Sequence, residues 1–278
     1  ETPNDALGAH LVLARAALED GALEDAEKSL DAAQRLAERH DRSPLEIYAL
    51  KASLDLLRGR AESPWTARAL QMNPGYGEAY ATPAYFYVIT RRYREAIALL
   101  RRAIEIEPDL YSAHAELGIN LLRENKVEEA QQHLQTAYGG DPFSAPLVNT
   151  LRLIDSFDNF VVKAHAPRPA GANGVANPGI VTRLHKNEAE VLEPYVLDLV
   201  NRTIDTYTKR YGFTLKEPVI VELYPDHDDF AVRIAGLPGI GLLGVTFGYL
   251  VAMDSPTGRS DSDFHCGTTL WHEMAHVF

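Results

Sequence analysis

The chain has 278 residues, 46% hydrophobic and 24% charged, which describes a globular protein long enough for two domains with cores of their own. A net charge of -12 and a pI near 5.3 exclude non-specific binding to nucleic acid or anionic membranes, because both require a positive field. A single cysteine excludes an internal disulfide, and no apolar run reaches the roughly 18 residues of a membrane-spanning segment.

The first half repeats. Ala69, Ala103 and Ala137 are 34 residues apart, as are Pro74, Pro108 and Pro142, and Ala96 and Leu100 recur as Ala130 and Leu134. In the clearest unit, Tyr111 to Ser144, Leu117 and Gly118 lie in a first helix. Ala130, Leu134 and Ala137 lie in a second, which Pro142 ends. Gly77 to Leu110 is in register, with Ala84 in place of the glycine and Pro83 early in its first helix. Two looser units precede it: Ser43 to Tyr76, where Gly59 points to a shortened inter-helix turn, and Gly8 to Arg42. Period and pattern resemble the tetratricopeptide repeat. This predicts stacked antiparallel helix pairs over residues 1–157, closed by a final helix carrying Leu147, Leu151, Ile154 and Phe157. Tyr76, Tyr80, Tyr85, Tyr87 and Tyr111 either line a groove for a protein partner or belong to the core.

Composition changes near residue 158. Strands are predicted at 161–166, 180–185, 219–224 and 242–253, with a loop rich in Pro, Gly, Ala and Asn at 167–178. A helix runs to Tyr211, with Pro194 either breaking its first turn or starting it, and a shorter one spans Asp226 to Ile234 with Asp226 as N-cap. His227, Asp228 and Asp229 read better as dipole-favoured helix-start residues than as metal ligands. Asp254 reads as a turn former before Ser255 and Pro256, with orientation of a metal-bound histidine as the alternative. A polar loop then runs to Asp263.

The last ten residues hold His272-Glu273-Met274-Ala275-His276. Histidines four apart on a helix stand about 40° apart around it and roughly 6 Å along it, so both can reach one metal. Around the helix, only His272, Glu273 and His276 interrupt a broad apolar arc. In this pattern His272 and His276 are zinc ligands and Glu273 is the general base; the plainer reading is two histidines that happen to share a helix face. A catalytic zinc ordinarily takes a third protein ligand. Cys266 and His265, if helical, stand about 9 and 10 Å from His272 along the axis, too far for a metal bond. The third ligand is therefore expected beyond residue 278, and a chain that begins without Met and ends inside a helix is expected to be a piece of a longer protein.

Together Phe157 to Phe160, Tyr211 to Phe213, Val219 to Phe230, Gly241 to Pro256 and Thr269 to Phe278 resemble the peptidase-MA-like metallopeptidase domain of bacterial repeat proteins, within the gluzincin group. The resemblance implies two zinc ligands from His272 and His276, a third from a glutamate on a later helix, and a substrate laid against the edge strand before the active-site helix. Here that strand holds Gly244, Val245, Thr246, Phe247 and Gly248. The resulting class is α + α/β: a repeat solenoid over 1–157, then the mixed-sheet part of a gluzincin-like domain over 158–278. Its expected function in the intact protein is zinc-dependent hydrolysis of protein substrates recruited by the repeats, with a non-catalytic protein-binding scaffold as the rival; this chain by itself is expected to be inactive. Zinc is expected to bind weakly or not at all in this chain, unless Asp254 or a carboxylate from a neighbouring chain completes the shell.

Overall fold

Small residues at the recurring positions let the helices of the first half pack closely. The structure is a computed structural model that describes residues 3–60, 62–170, 175–259 and 264–278. Two compact units divide it, 1–121 and 122–278. In the first, α1 (Pro3–Glu19) and α2 (Leu23–Arg39) pair, followed by α3 (Leu45–Leu57) with α4 (Pro64–Met72) and α5 (Glu78–Ile89) with α6 (Tyr93–Ile106). Next comes α7 (Tyr111–Arg123), whose last two residues are counted in the second unit. Ala14, Ala26, Ala33, Ala69, Ala96 and Ala103 have no exposed surface, as contact positions between closely packed helices require. No strand interrupts the described residues between 77 and 144.

The turns repeat as well. Arg91 (φ 61°) and Asn125 (φ 57°) both take the left-handed conformation, 34 positions apart, where the first two pairs use Gly21 (φ 72°) and Gly59 (φ 82°). The turn holding Gly59 is longer than its counterparts, not shorter as the sequence suggested: residues 58–63 connect α3 to α4, against 90–92 between α5 and α6. The buried Asp55 carboxylate gathers the extra length by accepting hydrogen bonds from Arg60 and Ser63, and the Ser63 hydroxyl in turn caps α4 at the Trp65 amide. Pro83 is the sixth residue of α5 and costs it the bond to the Ala79 carbonyl without ending the helix.

The second unit contains α8 (Val127–Gly140) and α9 (Ala145–Asp155), then β1 (Phe160–His165), β2 (Ile180–His185), α10 (Ala189–Tyr211), β3 (Val219–Tyr224), α11 (His227–Ala235), β4 (Gly244–Phe247), β5 (Leu250–Asp254) and α12 (Cys266–Val277). The change of composition near 158 thus falls inside this unit. At its junction, α9 packs on α11: a Cβ on Gly236 would lie 2.7 Å from Cβ of Pro146, and Asn149 Nδ2 donates to the Gly236 carbonyl at 3.1 Å. Pro194 sits inside α10, which starts ahead of it at Ala189. Residues 171–174 and 260–263, within the loops anticipated from composition, lie outside the described residues.

The sheet order is β1-β2-β3-β5-β4, with β2, β3 and β5 mutually parallel and the outer strands antiparallel to their neighbours. The single edge strand anticipated over 242–253 is instead a hairpin. Phe247 pairs with Leu250 across a two-residue turn in which Gly248 has φ 59°, so β4 takes the edge and β5 lies inside. Alternation along the strands sends Val219, Val221, Leu223, Val251 and Met253 to a core shared with α10 and α12. Glu222 and Tyr224 point the other way. There the fully buried Glu222 carboxylate binds Arg183, Arg233 Nε (2.8 Å) and Tyr224 OH (3.0 Å). Arg233 also donates to the Leu122 carbonyl, and Arg183 to Asn125 Oδ1, each at 2.9 Å.

Candidate active site

Helix α12 is anchored by its apolar side. Leu270 and Met274 are fully buried against the sheet, and the Tyr207 hydroxyl donates to the Trp271 carbonyl at 3.1 Å. This anchoring leaves His272 and His276 facing outward, with rings 5.0 Å apart between centroids and nearly perpendicular at 82°. Their Nε2 atoms lie 3.3 Å apart. Two nitrogens each about 2.0 to 2.1 Å from a tetrahedral zinc are about 3.3 to 3.4 Å apart, so the pair fits two corners of such a shell. Among the described residues, no cluster of three His, Cys, Asp or Glu side chains surrounds a common point.

Glu273 turns inward, onto β4. It is 6% exposed, and the Thr246 hydroxyl lies 2.8 Å from its Oε2 and 2.9 Å from its backbone carbonyl. Gly244 makes the approach possible, because a Cβ there would sit 2.7 Å from Cγ of Glu273 and 3.0 Å from its Oε1. Gly244 and Thr246 are two apart on a strand and so share the face toward α12, while Val245 and Phe247 take the other. On that other face the Arg123 guanidinium stands 5.1 Å from the Phe247 ring centroid. Among the described strands, β4 pairs only with β5, and Gly248 lies in the turn beyond it. The residues read from sequence as metal-binding, catalytic and substrate-binding therefore meet at one end of α12 and one edge of the sheet.

The remaining candidates are engaged elsewhere. His265 is the N-cap of α12, its Nδ1 accepting from the Thr268 amide at 3.1 Å. Burial, with Glu188 and Asp254 adding to it, pushes the Cys266 thiol up to about 11. Asp226 caps α11 through the Asp228 amide, and His227 turns to Asp254, its Nδ1 lying 3.0 Å from Oδ2. Asp254 is fully buried and also accepts from Arg259 Nε at 2.9 Å. Asp254 is thus neither a mere turn former nor the orienter of a histidine in α12; it binds a histidine of α11. The link from Thr246 to Glu273 was not visible in the sequence, although the Gly-x-Thr spacing, one small residue and one donor on the same strand face, is the signal that carries it.

Comparison with known proteins reaches the repeats. The Protein SGT1 homolog of Oryza sativa subsp. japonica is 23% identical over 123 residues, 44% of this chain and 33% of that protein. A mutant of the Thermobaculum terrenum O-GlcNAc transferase aligns over 84% of this chain and 40% of its own, at 16% identity and a TM-score of 0.33. The chain therefore spans less than half the length of either protein. Residues 87–152, from within α5 to within α9, match the Tetratricopeptide repeat family.

Proposed function

We propose that the helical repeats bind a protein partner and that the sheet unit carries a zinc-dependent peptidase site on α12. The repeat match supports the first part. One observation carries the second: two outward imidazoles at tetrahedral spacing stand beside a buried carboxylate held on a sheet edge. His272 and His276 would hold the ion through Nε2. Bound zinc supplies Lewis acidity toward a carbonyl and lowers the pKa of water. Thr246 and the cleft beside Gly244 fix the Glu273 carboxylate, which takes the proton of the attacking water and returns it to the leaving amine. The open edge of β4 offers backbone donors and acceptors to an extended peptide.

X-ray absorption on zinc-loaded protein tests the metal: the expected shell contains two imidazole nitrogens, one of which is lost in His272→Ala or His276→Ala. A shell unchanged by both substitutions overturns the assignment. For the chemistry, casein cleavage by a longer chain that supplies a third ligand, lost in Glu273→Gln at unchanged zinc content, is the expected pattern. A rival reading, a scaffold that binds a partner without hydrolysis, is favoured by the repeat match, which extends into α9. It predicts cross-linked capture of a partner by the repeats, indifferent to substitution of His272, Glu273 or His276.

A further inference from the structure

Within the first unit, α1, α3, α5 and α7 border a groove made of two hollows. One, of about 260 Å³, is lined from α1, α5, α6 and α7; the other, of about 220 Å³, lies along α1 and reaches Glu46 of α3. Arg15 lines both, which makes them one feature. The floor is apolar, with Val88 and Leu100 beneath an exposed rim that includes Val12 (69% exposed) and Tyr85 (37%). The charge is one-sided: Glu19, Glu46, Glu78 and Glu116 line it, against the single basic side chain Arg15 among its described lining residues.

Two of these carboxylates are held by neutral donors, which fix them without cancelling their charge. Glu19 Oε1 accepts from the Tyr85 hydroxyl at 3.0 Å, and Glu78 Oε2 from the Thr82 hydroxyl at 2.9 Å. Arg15 approaches Glu46 only to 3.9 Å, with both side chains substantially exposed. Other basic residues of the unit sit elsewhere: Arg91, Arg92, Arg94, Arg101 and Arg102 are exposed on α6 and the turn before it, outside the groove lining. Composition alone would scatter both signs, whereas here Arg15 is the one basic side chain among the described lining residues of the groove.

We infer that the groove binds a cationic peptide segment, with lysine or arginine side chains paired to Glu19, Glu46 and Glu78 and aliphatic side chains on the apolar floor. This rests on the reading that the repeats bind protein, and it names the chemistry of the partner.

Fluorescence anisotropy on the 278-residue chain tests it with two labelled probes, a short peptide alternating lysine and leucine and its glutamate-leucine counterpart. The lysine probe is expected to bind, more weakly as salt rises, and to lose affinity about tenfold in the double variant Glu46→Gln with Glu78→Gln. Glu24→Gln with Glu38→Gln on α2, outside the groove, removes the same charge and should leave binding unchanged. Should the groove variant fail to fold by circular dichroism, the salt response and probe preference of the unsubstituted chain decide. Equal binding of the glutamate probe, equal loss in the α2 control, or no binding of the lysine probe overturns the inference. Cross-linked capture of a partner persisting in any of those cases would leave the protein-binding reading standing, which separates the two failures.

Discussion

Gly244 and Thr246 act on the same side chain by opposite means, one by what it lacks and the other by what it donates. In Gly244→Ala the new methyl lies 2.7 Å from Cγ of a buried Glu273, and the overlap should cost about 1 to 3 kcal/mol. Thr246→Val removes the donor from that carboxylate and should cost about 1 to 3 kcal/mol, with Thr246→Ser restoring most of it. Thermal melts of the three variants check both; a Gly244→Ala melting temperature equal to wild type would mean that Glu273 has room to move aside. Cys266 gives a second test. With its thiol raised to about 11 against an ordinary 9.0, thiolate at pH 8 should be about a hundredfold scarcer than in the unfolded chain. Reaction with a disulfide reagent should be correspondingly slow until the protein is denatured. The spacing of His272, Glu273 and His276 was legible from sequence because helical periodicity alone places them. The inward turn of Glu273 was not, because it depends on a glycine in a strand of another element.

At the scale of elements, repeats and strands were read where the pattern is periodic and misread where a turn intervenes. The 242–253 run looks like one strand because its hydrophobic residues continue through Gly248 and Tyr249, and only the positive φ of Gly248 reverses the chain. Likewise Gly59 marks a turn, but the length of that turn is set by Asp55, a side chain whose partners cannot be seen from spacing. Glu222 is the strongest case. Burial by itself would raise its carboxyl; the charges of Arg233 and then Arg183 outweigh that and hold it below the ordinary 4.5. Because the folded value is the lower one, the stabilisation is complete above about pH 4.5 and drains away as the pH falls through the folded value. Glu222→Gln leaves two buried guanidiniums without their carboxylate and should cost about 3 to 5 kcal/mol at pH 7, while flattening the acid limb of a melting-temperature profile.

The whole molecule has two compact units, each with a hydrophobic core of its own, so unfolding need not be a single event. Calorimetry should resolve two transitions, of which Glu222→Gln lowers one; a single transition displaced as a whole would show the units to be cooperative. The coarse architecture, helical repeats and then a mixed sheet, was readable at this scale, since a helical repeat followed by alternating strands and helices announces a change of architecture. Compactness does not follow that change, however, because the guanidiniums of Arg183 and Arg233 end on Asn125 and on the carbonyl of Leu122. Anyone wishing to produce the sheet half by itself meets this directly. A gene trimmed at codon 158, where composition shifts, would deprive both arginines of those acceptors and Gly236 of its seat on Pro146, and should yield insoluble material. A gene begun ahead of α7 keeps them, and its product should elute as a folded species on size exclusion.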